Sequence, residues 1–148
     1  MVANNEAHIS YSITDDQFIF DAIENDYELN NIVTKCQGYK KKYEIVKNRY
    51  SDKMDTLFVF FNNDDTISIY NAGNKKVILN LTLYSKRIGL LKDTVMIGLT
   101  KDFFINKYPS IPDNVIFEIC NLEGLNCFRF TITNGKLSNI KYQSSYMD

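Results

Sequence analysis

The sequence predicts an α+β protein: a helix or helix pair and an antiparallel meander, then a short helix and three more antiparallel strands. Three observations predict this class. Apolar residues recur at helical spacing between about 15 and 37, they alternate with polar residues in the later segments, and turn residues separate those segments. Each element has one apolar face to bury, so we expect the helices to pack on one face of the sheet.

Composition limits the class of protein further. The chain has 148 residues, of which 45% are hydrophobic, with 17 Lys+Arg against 18 Asp+Glu. This length predicts one compact domain, 1–148, built as one unit or as two α-then-β units, 12–90 and 93–143. The balanced charge argues against binding nucleic acid by bulk positive potential, and no run approaches the roughly 20 apolar residues of a transmembrane helix.

The first helix has a recognisable start. Residues 1–11 are a polar lead-in, and Thr14 with Gln17 forms the Thr-x-x-Gln pattern of a capping box. An apolar stripe then runs from Phe18 to Cys36. The pattern predicts either one helix from about 15 to 37 or two helices with a break near Asn25-Asp26.

Four strands follow the helical region. We expect them at about 41–50, 57–61, 66–70 and 76–84, with Asn- and Asp-rich turns between them. The alternation in the last strand places four aliphatic side chains on the core face: Val77, Leu79, Leu81 and Leu83.

The second unit begins with a helix over 101–107, with Thr100 as its N-cap, and continues into strands at 115–119 and 128–132. A hairpin at Asn134-Gly135 leads into the last strand. A two-residue turn would pair Ile132 with Leu137, whereas a three-residue loop would place Ile140 and Tyr142 on the phenylalanine face. Because burial favours the second register, we predict the three-residue loop.

Few residues of this chain are suited to catalysis or metal binding. His8 is the only histidine, the three cysteines form no CxxC pair, and neither phosphate-binding glycine motif is present. We therefore predict no catalytic, metal-binding or cofactor-binding residues and a protein that is not an enzyme.

Cys120 and Cys127 flank a six-residue loop at the ends of two predicted strands. Directly opposed strand residues have Cβ atoms about 4.5–5.5 Å apart, so a disulfide across the loop base is feasible. It would suit an oxidising compartment. The alternative is two reduced, partly buried thiols.

Two features indicate a surface that binds another protein. Tyr70 and Tyr84 lie opposite to buried strand positions and can form an exposed aromatic patch, and Asp15, Asp16 and Asp21 make the first helix acidic. Each feature also has a structural interpretation. The tyrosines can fill the edge of the core, and the acidic helix can neutralise the basic segment 35–53.

A segment of the second unit resembles a known family. Ile97-Gly98-Leu99-Thr100, with Leu99 in place of the usual Met, is similar to the Gly-Met-Thr phrase that opens a helix in small bacterial envelope domains of the β-lactamase-inhibitor-protein-like kind, including the SmpA/OmlA lipoproteins. The later strands and the Asn-Gly-Lys hairpin follow in the same order, so the resemblance covers 93–142.

The resemblance implies a non-enzymatic bacterial envelope protein that binds another protein as an inhibitor, immunity or envelope-assembly factor. The sequence is rich in Asn, Lys, Ile and Tyr, a composition typical of AT-rich bacteria such as the Bacteroidetes. We expect a periplasmic or secreted location, although the chain as written begins without a signal segment and a cytoplasmic location stays open. The alternatives are a histidine-independent hydrolase and a carrier of a small apolar ligand.

Overall fold

A computed structural model describes residues 9–73, 75–111 and 116–145. His8 and Val115 lie outside the described residues. The helices are α1 (Asp16–Ile19), which continues as a π-helical turn (Phe20–Glu24), α2 (Asp26–Lys35) and α3 (Asp102–Lys107). The strands are β1 (Ile9–Thr14), β2 (Lys40–Lys47), β3 (Met54–Phe61), β4 (Thr66–Ala72), β5 (Lys75–Leu83), β6 (Ile116–Cys120), β7 (Cys127–Thr133) and β8 (Lys136–Gln143).

All eight strands belong to one sheet, in the order β1-β6-β7-β8-β5-β4-β3-β2. The strands β2 to β5 form the predicted meander, and β5 pairs with β8, so both sets of strands share a continuous sheet. Neighbouring strands are antiparallel except β1 and β6, which run parallel. This mostly antiparallel sheet confirms the predicted α+β class.

Helices α1 and α3 pack on one face of the sheet. The ring of Phe130 in β7 lies 5.9 Å from Phe18 of α1 and 5.0 Å from Phe104 of α3, measured between centroids. Because one side chain meets both helices, α1 and α3 cover the same face. Burial of the aromatic and aliphatic residues between them is the main stabilising force of the fold.

The start of the chain differs from the prediction. Residues 9–14 form β1 rather than a polar lead-in, and they pair with β6 from Ile9↔Ile116 to Thr14↔Cys120. Thr14 therefore ends a strand, and Asp15 caps α1 by accepting the Phe18 N–H at 3.0 Å. Of the two alternatives for the helical region, the structure has two helices with a break at Asn25, whose side chain accepts the Glu28 N–H at 2.9 Å and begins α2.

A β-bulge corrects the predicted faces of β5. Ser68 pairs with Asn80, but the next residue, Ile69, pairs with Ile78, so β5 contains one extra residue. Leu81 and Leu83 lie in the core as predicted, but the bulge turns Ile78 inward instead of Val77 and Leu79, which stay half-buried. A prediction from strict two-residue alternation does not account for an inserted residue, which changes the residues that face the core on one side of the bulge.

The last hairpin combines the two registers considered from the sequence. Thr133 pairs with Lys136, so the turn has two residues, and Asn134 and Gly135 both have positive φ as a type I′ turn requires. The predicted three-residue loop is therefore wrong. A bulge at Ser138 then places Ile140 opposite Phe130, so the predicted burial of Ile140 and Tyr142 holds.

The second unit enters its short helix through a segment that is bound to β8. Gly98 donates its N–H to Leu137 at 2.7 Å, and Thr100 forms a bridge with Lys136. Thr100 is thus not the N-cap of α3; Lys101 occupies that position. Among the residues the structure describes, no helix has both the length and the apolar character needed to cross a bilayer.

Candidate functional site

The face of the sheet opposite the helices carries a row of polar side chains. Directly paired residues on neighbouring strands point to the same side of a sheet. The pairing aligns one such row across five strands: Ser12, Glu118, Arg129, Lys141 and Thr82. An open groove of about 610 Å³ lies along four of these positions, from Glu118 to Thr82.

The charges of the groove are mostly basic. The Glu118 carboxylate lies 3.9 Å from the Arg129 guanidinium and forms an ion pair with it. Lys141 is exposed beside Arg129 on the next strand. One positive charge thus remains after the ion pair is counted, so the groove suits a polar or anionic surface.

A disulfide-closed loop forms one rim of the groove. Cys120 and Cys127 are paired across the end of the β6–β7 hairpin and joined by a disulfide, with a Cα–Cα distance of 4.1 Å. This bond closes the loop of residues 121–126, which we call the stapled loop. Gly124 and Leu125 of the stapled loop line the groove directly.

Hydrogen bonds hold the stapled loop in one conformation. The Asn121 side chain accepts the backbone N–H groups of Leu125 at 2.9 Å and Asn126 at 3.2 Å. The loop is also tied to the first helix, because the Leu122 N–H donates to the Asp16 carboxylate at 2.5 Å and the Asn126 amide donates to Glu24 at 3.2 Å. The backbone of the loop is therefore fixed at several points.

The stapled loop presents two apolar side chains to solvent. Leu122 is 75% exposed and Leu125 is 52% exposed. Single exposed leucines are ordinary, but here two leucines are exposed on one six-residue loop beside a groove. A rigid loop that holds apolar groups in water has the arrangement expected of a protein-binding site.

The predicted aromatic patch is not formed by the two tyrosines named for it. Tyr84 is 52% exposed, but Tyr70 is only 3% exposed, and its hydroxyl donates to the buried Asp55 carboxylate. Tyr70 therefore contributes to packing and cannot present a ring to a partner. The sequence pattern placed Tyr70 on the face opposite the core. It did not reveal that Tyr70 is buried there and bonded to Asp55.

The three predicted acidic residues of the first helix have separate roles. Burial alone would raise the pKa of Asp15, but hydrogen bonds from the Tyr108 hydroxyl and the Phe18 N–H outweigh it and hold that pKa below its ordinary value. Asp15 is thus a helix cap. Asp16 supports the stapled loop, and Asp21 accepts a hydrogen bond from the Gln17 side chain.

The geometry near the disulfide also bears on metal binding. Donor atoms of Glu118, Cys120 and Cys127 lie within 4.8 Å of one another. Zinc binds thiolates, and both sulfur atoms are used in the disulfide, so this trio is not a ligand set in the oxidised protein.

Sequence reasoning missed most of the groove. Lys141 and Thr82 are ordinary polar strand residues, and only the β5–β8 pairing brings them together. Leu122 and Leu125 carried a usable signal, because two leucines in a short polar loop between two cysteines have no core to fill.

Comparison with known proteins gives no match: no family model, curated protein or solved structure is similar to this chain. The resemblance of 93–142 to the β-lactamase-inhibitor-protein-like domains therefore stays a prediction.

Proposed function

We propose that this protein is an exported, non-enzymatic binding module that recognises another protein with the stapled loop and the adjoining groove. The observation that carries the proposal is the fixed loop with Leu122 and Leu125 in solvent. Because the loop is already ordered, binding costs little conformational entropy, and the apolar area buried there adds directly to affinity.

The groove supports recognition of a polar surface around that apolar contact. Lys141, which has no part in the Glu118–Arg129 ion pair, can pair with an acidic group of the partner at the edge of the interface, where such contacts give orientation and specificity. An inhibitor, an immunity protein or an envelope-assembly factor would use a surface of this kind.

The groove is less suited to the alternative functions. Hydrolysis by paired carboxylates requires two acidic groups about 5–10 Å apart, and Glu118 is the only acidic residue among those described along the groove. A carrier of an apolar ligand requires an enclosed apolar cavity, whereas this groove is open and its walls include charged groups.

The disulfide supports the exported location in this proposal. Disulfides persist in the periplasm and outside the cell and are rare in the reducing cytosol. Mass spectrometry of the Cys120–Cys127 peptide from the native host, without reductant, is expected to find the bonded pair.

The binding proposal is tested with the variant Leu122→Ser/Leu125→Ser. The full chain, the variant and a control are immobilised, and extracts of the native host are passed over each. Tyr50→Ser is the matched control, because Tyr50 is 87% exposed and lies in the turn between β2 and β3. We expect a protein that binds the wild type and the control but not the loop variant.

Calorimetry with that purified partner then measures the effect of the loop. Loss of the two leucine side chains, which the partner would bury, is expected to weaken the free energy of binding by about 3 kcal/mol, or roughly 100-fold in affinity. Equal affinity of the loop variant and the wild type would contradict the proposal. So would the absence of any protein that discriminates between them.

A further inference from the structure

Three potential metal ligands converge where the disulfide closes the β6–β7 hairpin. Glu118 and Cys120 lie two residues apart in β6, so their side chains leave the sheet on the same side. Cys127 is paired directly with Cys120, and Arg129 is paired with Glu118. Donor atoms of Glu118 and the two cysteines lie within 4.8 Å of one another. Strand pairing therefore brings two sulfur atoms and a carboxylate together beside the groove.

The positions of the two cysteines do not depend on the disulfide alone. Directly beyond them, the Asn121 N–H donates to the Asn126 carbonyl at 3.0 Å. The Asn121 side chain accepts the Leu125 N–H at 2.9 Å, and the Leu122 N–H donates to the Asp16 carboxylate. Reduction of the disulfide removes none of these hydrogen bonds and none of the β6–β7 backbone pairing. We therefore expect the two thiols of the reduced protein to remain opposed.

The chemistry of these three ligands selects the metal. Thiolates favour Zn²⁺ over Mg²⁺ and Ca²⁺, which prefer oxygen ligands. Zn²⁺ accepts thiolates and carboxylates in a tetrahedral site, with Zn–S distances of about 2.3 Å and Zn–O distances of about 2.0–2.2 Å. Three protein ligands leave a fourth position for water. Water can reach that position, because Glu118 and Cys127 line a groove that is open to solvent.

The charges around the three ligands also suit a divalent cation. Two thiolates and one carboxylate carry three negative charges, of which Zn²⁺ balances two. The Arg129 guanidinium, 3.9 Å from the Glu118 carboxylate, balances the third. The Arg129 side chain is partly exposed, so its charge can remain beside the metal in contact with solvent.

We propose that the reduced protein binds Zn²⁺ through Glu118, Cys120 and Cys127, so that the metal replaces the disulfide in closing the stapled loop. A phosphine reduces the disulfide: phosphorus is oxidised and takes an oxygen atom from water, the S–S bond breaks, and two thiols form. Zn²⁺ then displaces both thiol protons to solvent as two Zn–S bonds form. The inference concerns the reduced protein alone, so it does not depend on the binding function proposed above.

The test uses Co²⁺ as a coloured substitute for Zn²⁺. The full chain is reduced with a phosphine under argon, freed of the phosphine by gel filtration and titrated with Co²⁺. We expect a thiolate-to-cobalt charge-transfer band with a Kd below about 100 μM, and we expect added Zn²⁺ to remove the band. The oxidised protein keeps the free thiol of Cys36 but not the proposed site, so it should show no band.

Two variants locate the site. Cys120→Ser/Cys127→Ser should abolish the band, and Glu118→Gln should weaken Co²⁺ binding at least about tenfold. Glu123→Gln is the matched control, because Glu123 is an exposed carboxylate of the stapled loop, and it should bind like the wild type. Circular dichroism checks that each variant is folded.

Three results would overturn the proposal. They are equal Co²⁺ spectra of the oxidised and reduced protein, no charge-transfer band at about 100 μM Co²⁺, and equal affinity of Glu118→Gln and Glu123→Gln.

Discussion

Asp65 shows how a single buried residue holds several segments together. It is fully buried, and its carboxylate accepts hydrogen bonds from the Tyr39 hydroxyl at 2.5 Å, from the Ser85 hydroxyl, and from the backbone N–H groups of Tyr84 at 2.8 Å and Ser85 at 3.0 Å. Burial would raise its pKa, but these hydrogen bonds outweigh burial and hold the pKa of Asp65 below its ordinary value. The carboxylate thus joins Tyr39, directly before β2, to Tyr84 and Ser85, directly after β5.

Asp65→Asn is expected to lower the free energy of unfolding by about 3 kcal/mol at neutral pH, because buried donors lose a charged acceptor. A lowered pKa in the folded state stabilises the protein above the unfolded pKa and ceases to do so as pH falls through the folded pKa. The difference in free energy of unfolding between the wild type and Asp65→Asn should therefore become smaller below about pH 4. Urea unfolding at several pH values measures this difference in free energy. A difference that does not change with pH would contradict the role of Asp65 as a charged hydrogen-bond acceptor.

At the scale of the element, the β7–β8 hairpin contains one inserted residue. The pairs Ile132↔Leu137 and Thr131↔Asn139 flank Ser138, which has no partner position of its own in β7. Without the bulge, a two-residue turn would place Ile140 on the uncovered face. Ser138 thus reconciles the favoured turn with the apolar pattern of β8.

Deletion of Ser138 is expected to be tolerated, because the pairs on both sides of it are consistent with a regular hairpin. The deletion should lower the free energy of unfolding by about 1–2 kcal/mol, because it removes the hydrogen bonds of Ser138 to Thr133 and to the Thr131 carbonyl. Deletion of Lys141 is the matched comparison. The Lys141 deletion removes an exposed residue from the same strand but turns Tyr142 or Ile140 out of the core. It should lower the free energy of unfolding by about 3 kcal/mol or more.

Thermal and denaturant unfolding of the two deletion variants provide the measurement. A Ser138 deletion that unfolds the protein as readily as the Lys141 deletion would show that the bulge itself is required.

For the whole molecule, the β5–β8 pairing decides how the two α-then-β units behave. Leu81 lies at this seam, fully buried and paired with Ile67 of the first unit and Tyr142 of the second. Both units bury side chains in one core, so neither presents a complete apolar core without the other. We therefore expect a single cooperative unfolding transition.

Leu81→Ala is expected to lower the free energy of unfolding by about 3 kcal/mol, the ordinary cost of a cavity at a buried leucine. Hydrogen exchange should show an equal loss of protection in β3 and in β7, since the seam couples the units. Leu57→Ala, a half-buried position in β3, is the control and should have a smaller effect. Loss of protection in one unit alone would show that the units fold separately.

Sequence alone determined the features of this protein that depend on near neighbours along the chain. Apolar spacing predicted either one helix or two helices with a break near Asn25-Asp26, and strand-forming segments separated by turn residues predicted seven of the strands. Opposed positions at the ends of two of these strands made the Cys120–Cys127 bond feasible. These signals are local because a helix turn, a strand and a tight turn each involve only a few consecutive residues.

Only the tertiary structure decided the features that depend on distant residues. The strand β1 exists because β6, about 100 residues later, offers an edge to pair with. Tyr70 is buried in β4 between β3 and β5, and its hydroxyl donates to Asp55 of β3. The groove combines residues from four strands, and the free edge of β2 follows from the strand order. No local pattern encodes these contacts, since their energy depends on which elements meet in the folded chain.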